Sequence, residues 1–283
     1  MSNIQITENG SGKYSPEWFY SESQTPEWIS FAHKADELRE NFINLFGIER
    51  LKSLSGKDLL TSLFYNDEGT KTNLCYRLEM DKDIREIFGS ISGGAAYKFG
   101  LFYHKKNQSW TCGSPLKPIH LTEAEAIQKA EEMRNDLVEG AEIISSFGPL
   151  DSEKDYEQLY KQLEHIPGIN MVWRMKYYQM LFPTLFAPFY GQDIQLRVLH
   201  FLNQKPSDIP FIRMGQISLY ARKCNVPGVV FAHIYGKNVG YTNETNDSDT
   251  NTLSDKNIKR TTGCIPSLMI KVGMNANKKE SWF

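Results

Sequence analysis

The chain has 283 residues, of which 40% are apolar and 23% are charged, and its formal net charge is −2. This composition is typical of a globular protein, and it lacks the overall basic excess that favours nucleic-acid binding. No stretch approaches the roughly 18 apolar residues of a membrane helix, and the polar start does not resemble a signal peptide. The four cysteines form no CxxC pair, which disfavours a disulfide framework or a cysteine zinc site. The sequence therefore predicts a cytoplasmic protein without a membrane partner.

The first predicted elements are helices. Residues 1–13 are polar and are predicted to form a loose tail. Thr25 is placed as the N-cap of a helix that runs through about Phe46, because apolar residues recur there at three- and four-residue steps and Pro-Glu is a favourable first turn. Gly47 ends this helix, and the next segment reads as two short helical pieces broken at Gly56.

The spacing of apolar residues then changes to the alternation that is typical of strands. Alternation in "TNLCYRLEM" (72–80) predicts a half-buried strand, and "AAYKFGLFYHKK" (95–106) and "QSWTCG" (108–113) predict two more. The short polar link "KKNQ" between the last two indicates a hairpin. Thr122 and Glu125 form a capping box that opens a long helix, which Gly140 is expected to end.

The rest of the chain reads as helices up to about residue 240. The segment "TNETNDSDTNTLSDKN" has a single apolar residue, which is typical of a flexible linker. We therefore predict an α+β fold, in which a small antiparallel sheet with flanking helices is followed by a helical domain. The predicted boundaries are a tail at 1–13, the α+β domain at 14–150, the helical domain at 151–240, a linker at 241–262 and the truncated start of a further domain at 263–283.

The glycine-rich stretch "GSISGGAAYKFG" does not match a catalytic or phosphate-binding motif. It lacks the spacing of a P-loop and of a dinucleotide-binding loop, and Ile91 stands where a nucleophile elbow needs serine. The pattern favours a glycine turn that leads into a strand. No Glu-x-Lys nuclease spacing and no H-x-x-x-H pair occur, so we predict no metal, no cofactor and no catalytic residue, and a binding protein is favoured over an enzyme.

Clusters of cations and aromatic residues are the candidate binding sites. Lysine and arginine neutralise phosphates, and aromatic faces stack on exposed bases. The same residues also fit core spacing on helices, because lysine can extend a buried stem to the surface. The candidates for nucleic-acid binding are Arg174, Lys176, Tyr177, Tyr178, Arg213, Arg222, Lys223, Lys98, Lys105 and Lys106.

Four segments resemble the N-terminal region of McrB-family proteins. They are "FGSISGGAAYKFGLFYHKKNQSW", "LTEAEAIQKAEEMRNDLVEGAEII", "WRMKYYQMLFPTLFAPFYGQD" and "MGQISLYARKCNVPGVVFAHIYG", and the resemblance covers about residues 30–240. It implies a module that recognises DNA, often with a modified base, next to a AAA+ motor that hydrolyses GTP and a separate McrC-like nuclease subunit. This sequence departs from the family plan because it has no Walker A motif, so GTPase activity is not carried over to it.

Three functions remain open from the sequence. The first is a DNA-recognition module of a McrB-like modification-dependent restriction system, which is a form of defence. The second is a protein-interaction module that docks a AAA+ motor or a McrC-like nuclease. A lesser alternative is an independent metal-dependent nuclease.

Overall fold

The computed structural model describes residues 14–66, 71–92 and 96–239. Three predictions and part of a fourth lie outside these residues: the tail at 1–13, the linker at 241–262, the further domain at 263–283, and Gly93 to Ala95 of the glycine-rich stretch.

Six helices lie in the first part of the described residues, and the second of them begins and ends as the sequence predicts. The Ser15 side chain accepts a hydrogen bond from Trp18 N at the start of α1, and Thr25 precedes α2, which ends before Gly47. The helices are α1 (Pro16–Ser23), α2 (Pro26–Phe46), α3 (Ile48–Ser53), α4 (Gly56–Leu63), α5 (Leu74–Glu79) and α6 (Lys82–Phe88).

A three-stranded antiparallel sheet follows, in the order β1-β2-β3. A 3-10 turn (Ala96–Phe99) leads into β1 (Leu101–His104), and β2 (Ser109–Ser114) pairs with it across the predicted hairpin. The third strand, β3 (Lys117–Leu121), was not predicted, and it pairs with β2 after a tight turn at Pro115 and Leu116.

The elements described after residue 121 are helical, and the predicted α+β class with a small antiparallel sheet is confirmed. They are α7 (Glu123–Ser146), α8 (Glu153–Leu163), α9 (Val172–Leu181), α10 (Gln192–Phe201), α11 (Pro210–Lys223) and α12 (Gly228–Asn238).

The strand predicted at 72–80 is wrong, because this segment forms α5. The Asn73 side chain accepts a hydrogen bond from Tyr76 N at 2.8 Å, which caps the helix. Leu74 and Leu78 are buried, and a spacing of four residues puts them on one face of a helix as well as on one face of a strand. Periodicity in so short a segment could not separate the two structures.

The predicted capping box of α7 is confirmed, but Gly140 does not end that helix. Thr122 N donates to Glu125 Oε2 at 2.8 Å, and Glu125 N donates to Thr122 Oγ1 at 3.3 Å. A Cβ at Gly140 would lie 2.1 Å from the Tyr178 hydroxyl oxygen. This glycine is needed for the close approach of α7 and α9, and the helix continues to Ser146.

One hydrophobic core runs through both predicted domains. Its centre is α9, which packs against α2, α5 and α7. Residues 173–180 of α9 are all buried, including Arg174, Lys176 and Gln179, so this helix is enclosed on every side. The boundary predicted at residue 150 falls in the loop between α7 and α8.

Candidate nucleic-acid interface

The cluster of cations and rings on α9 is buried, so its predicted role as a phosphate-binding surface is wrong for this fold. Arg174 is 3% exposed, and Lys176, Tyr177 and Tyr178 are each 0% exposed. A phosphate or a base has no access to these side chains. The sequence left this outcome open, because the same residues fit the spacing of a core helix.

The four candidate side chains of α9 each bond to a partner inside the protein, although Arg174 Nε and Nη1 are buried without one. Arg174 Nη2 lies 3.3 Å from Asp136 Oδ2 on α7. The Tyr177 hydroxyl donates to Phe46 O at 2.9 Å, and burial raises the pKa of this tyrosine well above its ordinary value. Such bonds offset the cost of removing polar groups from water, and they tie α9 to α2 and α7.

Lys176 is the most deeply buried cation among the candidates. Its Nζ donates to Leu78 O at 2.9 Å and to Gly89 O at 2.6 Å, and it lies 5.8 Å from the centre of the Tyr190 ring. Burial lowers its pKa to about 7. The side chain therefore joins α9 to the ends of α5 and α6, and it does not reach the surface.

The candidates on α11 divide between the interior and the surface. Arg213 is 3% exposed, and its Nε donates to Gln195 Oε1 at 3.0 Å, so its predicted phosphate contact is also wrong. Arg222 is half-buried and donates to Leu150 O, which takes up part of its guanidinium. Lys223 is exposed at the end of the helix and stays a candidate.

Arg213 helps to build a surface groove. Its Nη1 donates to Ser207 O at 2.8 Å and to Asp208 O at 3.1 Å, and Gln216 accepts from Ser207 N at 3.1 Å while donating to Lys205 O at 2.9 Å. These bonds fix the loop before α11. The groove has a volume of about 640 Å³ and is lined by Glu153, Glu157, Gln204, Lys205, Pro206, Ser207, Asp208, Gln216 and Leu219.

The groove has an acidic character. Glu153 and Glu157 of α8 and Asp208 of the loop bring three carboxylates, against one cation at Lys205. Carboxylates repel phosphates, so this concave surface is unsuited to a nucleic-acid backbone. This groove is therefore not a phosphate-binding surface of the kind that the cation clusters of the helical half suggested.

The sheet has a second surface with different chemistry. Leu101 and Trp110 face the main core cluster on the side of α7, whereas Phe102 is also buried, at 6% exposed, but is not part of that cluster. Since side chains alternate along a strand, the pairing of the three strands shows which residues lie on the face opposite α7. Phe102, Thr111 and His120 form one row across the three strands, and His104 pairs with Ser109 in the next row. We call Phe102, His104, Ser109, Thr111 and His120 the outer face.

Rings and hydroxyl groups hold the outer face together. The Tyr97 ring packs edge-on against Phe102 with centroids 4.7 Å apart, and Phe102 lies 6.2 Å from the His104 ring. Ser109 Oγ lies 3.0 Å from His120 Nδ1. His120 is exposed, so the face combines an accessible imidazole with an ordered set of partners.

Two of the predicted lysines lie at the end of this face. Lys105 and Lys106 are exposed in the β1–β2 turn, directly after His104. The third, Lys98, forms an ion pair with Glu79 and donates to Ile91 O at 2.9 Å. Lys105 and Lys106 are therefore placed to meet a ligand on the outer face, whereas Lys98 anchors the 3-10 turn to α5.

The sequence reasoning missed His104, His120, Ser109 and Thr111 as members of one surface. The alternation of "SWTCGS" indicates which residues share a side of β2, so part of the signal was available. The place of His120 on this surface could not be predicted, because β3 has only five residues, contains Pro118 and was not recognised as a strand.

The comparisons with known proteins add no further assignment. The chain matches no family model, no curated protein and no solved structure. In the described ranges, no group of three or more histidine, cysteine, aspartate or glutamate side chains could hold a metal ion. No helix in the same ranges combines the length and apolar character needed to cross a membrane.

Proposed function

We propose that this chain is a nucleic-acid recognition module, and that the outer face with Lys105 and Lys106 is its contact surface. The observation that carries the proposal is the juxtaposition of the exposed imidazole of His120 with two exposed lysines at one end of a sheet face, whose Phe102 and Thr111 are buried. Lysines neutralise backbone phosphates, while rings and side-chain hydrogen-bonding groups contact bases.

The shape of the surface favours bases that are free to leave a stack. The accessible rings of this face include those of His104 and His120, since Phe102 is buried, and exposed rings bind unpaired bases by stacking. In the McrB-like setting that the resemblance implies, this module would select DNA, including DNA with a modified base, for a motor and a nuclease on other chains. The residues that the structure buries on α9 and α11 have no part in this proposal.

Fluorescence anisotropy with labelled single-stranded DNA, duplex DNA and duplex DNA with modified cytosines tests the proposal. We expect affinity to fall as salt rises, and Lys105→Ala with Lys106→Ala to reduce the slope of log affinity against log salt by about 2. His120→Ala should weaken binding without changing that slope. Lys223→Ala tests the exposed lysine of α11 that stays a candidate, and under this proposal it should leave both quantities unchanged.

Two outcomes would contradict this assignment. Absence of salt-dependent binding to every probe would remove nucleic-acid recognition as the function. Binding that responds to Lys223→Ala but not to the two turn lysines would move the contact surface from the sheet to the end of α11.

The acidic groove favours a second candidate, a protein-interaction module. Glu153, Glu157 and Asp208 match a basic segment of a partner, such as a motor or nuclease subunit, by charge. Glu153→Lys with Glu157→Lys should abolish co-purification with such a subunit. Glu164→Lys, at the other end of α8, is the control. Association that survives the double reversal would exclude the groove as the docking site.

A further inference from the structure

The end of α6 is held by three side chains from the second half of the chain. Three successive carbonyl oxygens accept hydrogen bonds there: Ile87 O from His233 Nε2 at 2.7 Å, Phe88 O from the Tyr190 hydroxyl at 2.9 Å, and Gly89 O from Lys176 Nζ at 2.6 Å. A helix leaves its last four carbonyls without partners inside the helix. Here residues from α9, from α12 and from the loop before α10 supply them.

Lys176 is enclosed among charges that do not bond to it. The charged side chains that face it are Asp81 and Arg85 of the α6 segment, Glu79 of α5 and Lys98 of the 3-10 turn. They include two carboxylates and two cations, so their effects oppose one another. The hydrogen bonds of Lys176 go to backbone carbonyls, and its burial is therefore not offset by a direct ion pair.

His233 has an apolar environment. The Phe31 and Trp28 rings of α2 lie 4.3 Å and 6.3 Å from its imidazole. On its own helix, Lys237 is the nearest cation in sequence, and it pairs with Glu27 at 3.0 Å. Because a carbonyl can only accept, Nε2 must carry the proton in the bond to Ile87 O. A second proton on this ring would be buried without a charge to balance it.

Burial lowers the pKa of both groups, that of Lys176 from 10.5 to about 7 and that of His233 from 6.5 to about 4. A state in which these side chains reach water therefore binds more protons than the closed state, between pH 10.5 and 7 for the lysine and between pH 6.5 and 4 for the histidine. The closed state gains stability as pH rises through each window, and it loses that stability as pH falls.

We propose that the end of α6 is an acid-released joint, in which protonation of Lys176 and His233 frees α5 and α6 from α9 and α12 while the rest of the core stays closed. The joint also holds Gly89, whose φ of +75° starts the glycine-rich stretch that leads to the sheet. Release of the joint therefore changes the support of the segment before β1.

Native-state hydrogen exchange of the whole chain, corrected for intrinsic exchange, tests the joint. We expect the opening constant of amides in 74–89 to rise about tenfold for each unit of pH lowered within a window, with a smaller change in α7. His233→Gln keeps a donor but does not titrate, so it should remove the dependence below pH 6.5. His33→Gln, at an exposed histidine on α2, should leave the profile unchanged.

A second measurement stands without any variant. The imidazole of His233 in the folded protein, followed by nuclear magnetic resonance, should stay neutral down to about pH 5. Titration of this ring near pH 6.5 in the folded chain would overturn the proposal of an acid-released joint. So would exchange in 74–89 that does not change with pH, or that changes equally in α7.

Discussion

Two stretches of this chain have the same mixture of cations and aromatic residues, but in the fold one is buried and the other is exposed. On α9, Lys176 is 0% exposed and donates to two carbonyls of other helices. In the hairpin, Lys105 and Lys106 project into solvent beside the outer face. The difference lies in their neighbours. Residues 173–180 of α9 are all buried by the surrounding helices, whereas the hairpin turn consists of polar residues.

This comparison teaches that a cluster of lysines and rings does not by itself identify a binding surface. Within α9, Lys176 stabilises the core, since its Nζ bonds to backbone carbonyls at helix ends, whereas Arg174 pairs with Asp136. In the hairpin the cations have no such task, and they are available to a ligand. Substitutions at matched positions can break or sharpen the contrast.

The largest expected effect is at the buried lysine. Lys176→Ala removes the donor for Leu78 O and Gly89 O and leaves a cavity, so we expect the free energy of unfolding at pH 8 to fall by about 3–5 kcal/mol. Urea denaturation measures this change. Lys82→Ala, at a side chain that is 85% exposed, is the control and should change stability by less than about 0.5 kcal/mol. A loss below about 1 kcal/mol for Lys176→Ala would place that side chain outside the core.

A smaller effect is expected where α7 meets α9. Gly140→Ala brings a Cβ to 2.1 Å from the Tyr178 hydroxyl oxygen. We therefore expect the free energy of unfolding to fall by about 1–3 kcal/mol, despite the better helix propensity of alanine. Gly236→Ala in α12 meets nothing within 4 Å and should instead stabilise by about 0.5–1 kcal/mol. The same sign for both changes in thermal unfolding would contradict the close packing of α7 and α9.

The smallest effect is expected in the hairpin. Lys105→Ala together with Lys106→Ala removes two exposed side chains with solvent around them. We expect the free energy of unfolding to change by less than about 0.5 kcal/mol, measured by the same urea denaturation. A larger loss would mean that these lysines stabilise the turn, and their effect on ligand binding would then need a folded-state control.

Much of the local structure was predictable because it depends on neighbouring residues. The capping box of Thr122 and Glu125, the start of α2 at Pro26 and the hairpin at "KKNQ" were all correctly read from short patterns. Errors arose where a short pattern fits two structures, as at α5, or where a distant partner overrides a local signal, as at Gly140.

The sequence by itself determined the helices that begin at strong caps, the polar turn of the hairpin and the α+β composition of the fold, because neighbouring residues determine each of these. Tertiary structure alone decided which cations are buried. Lys176 bonds to carbonyls 98 and 87 residues away, and no pattern within α9 contains those partners. It also decided that His120 joins His104 on one face, since a pairing of three strands brings them together. Burial and surface assembly depend on contacts between distant parts of the chain, and these exist only in the folded molecule.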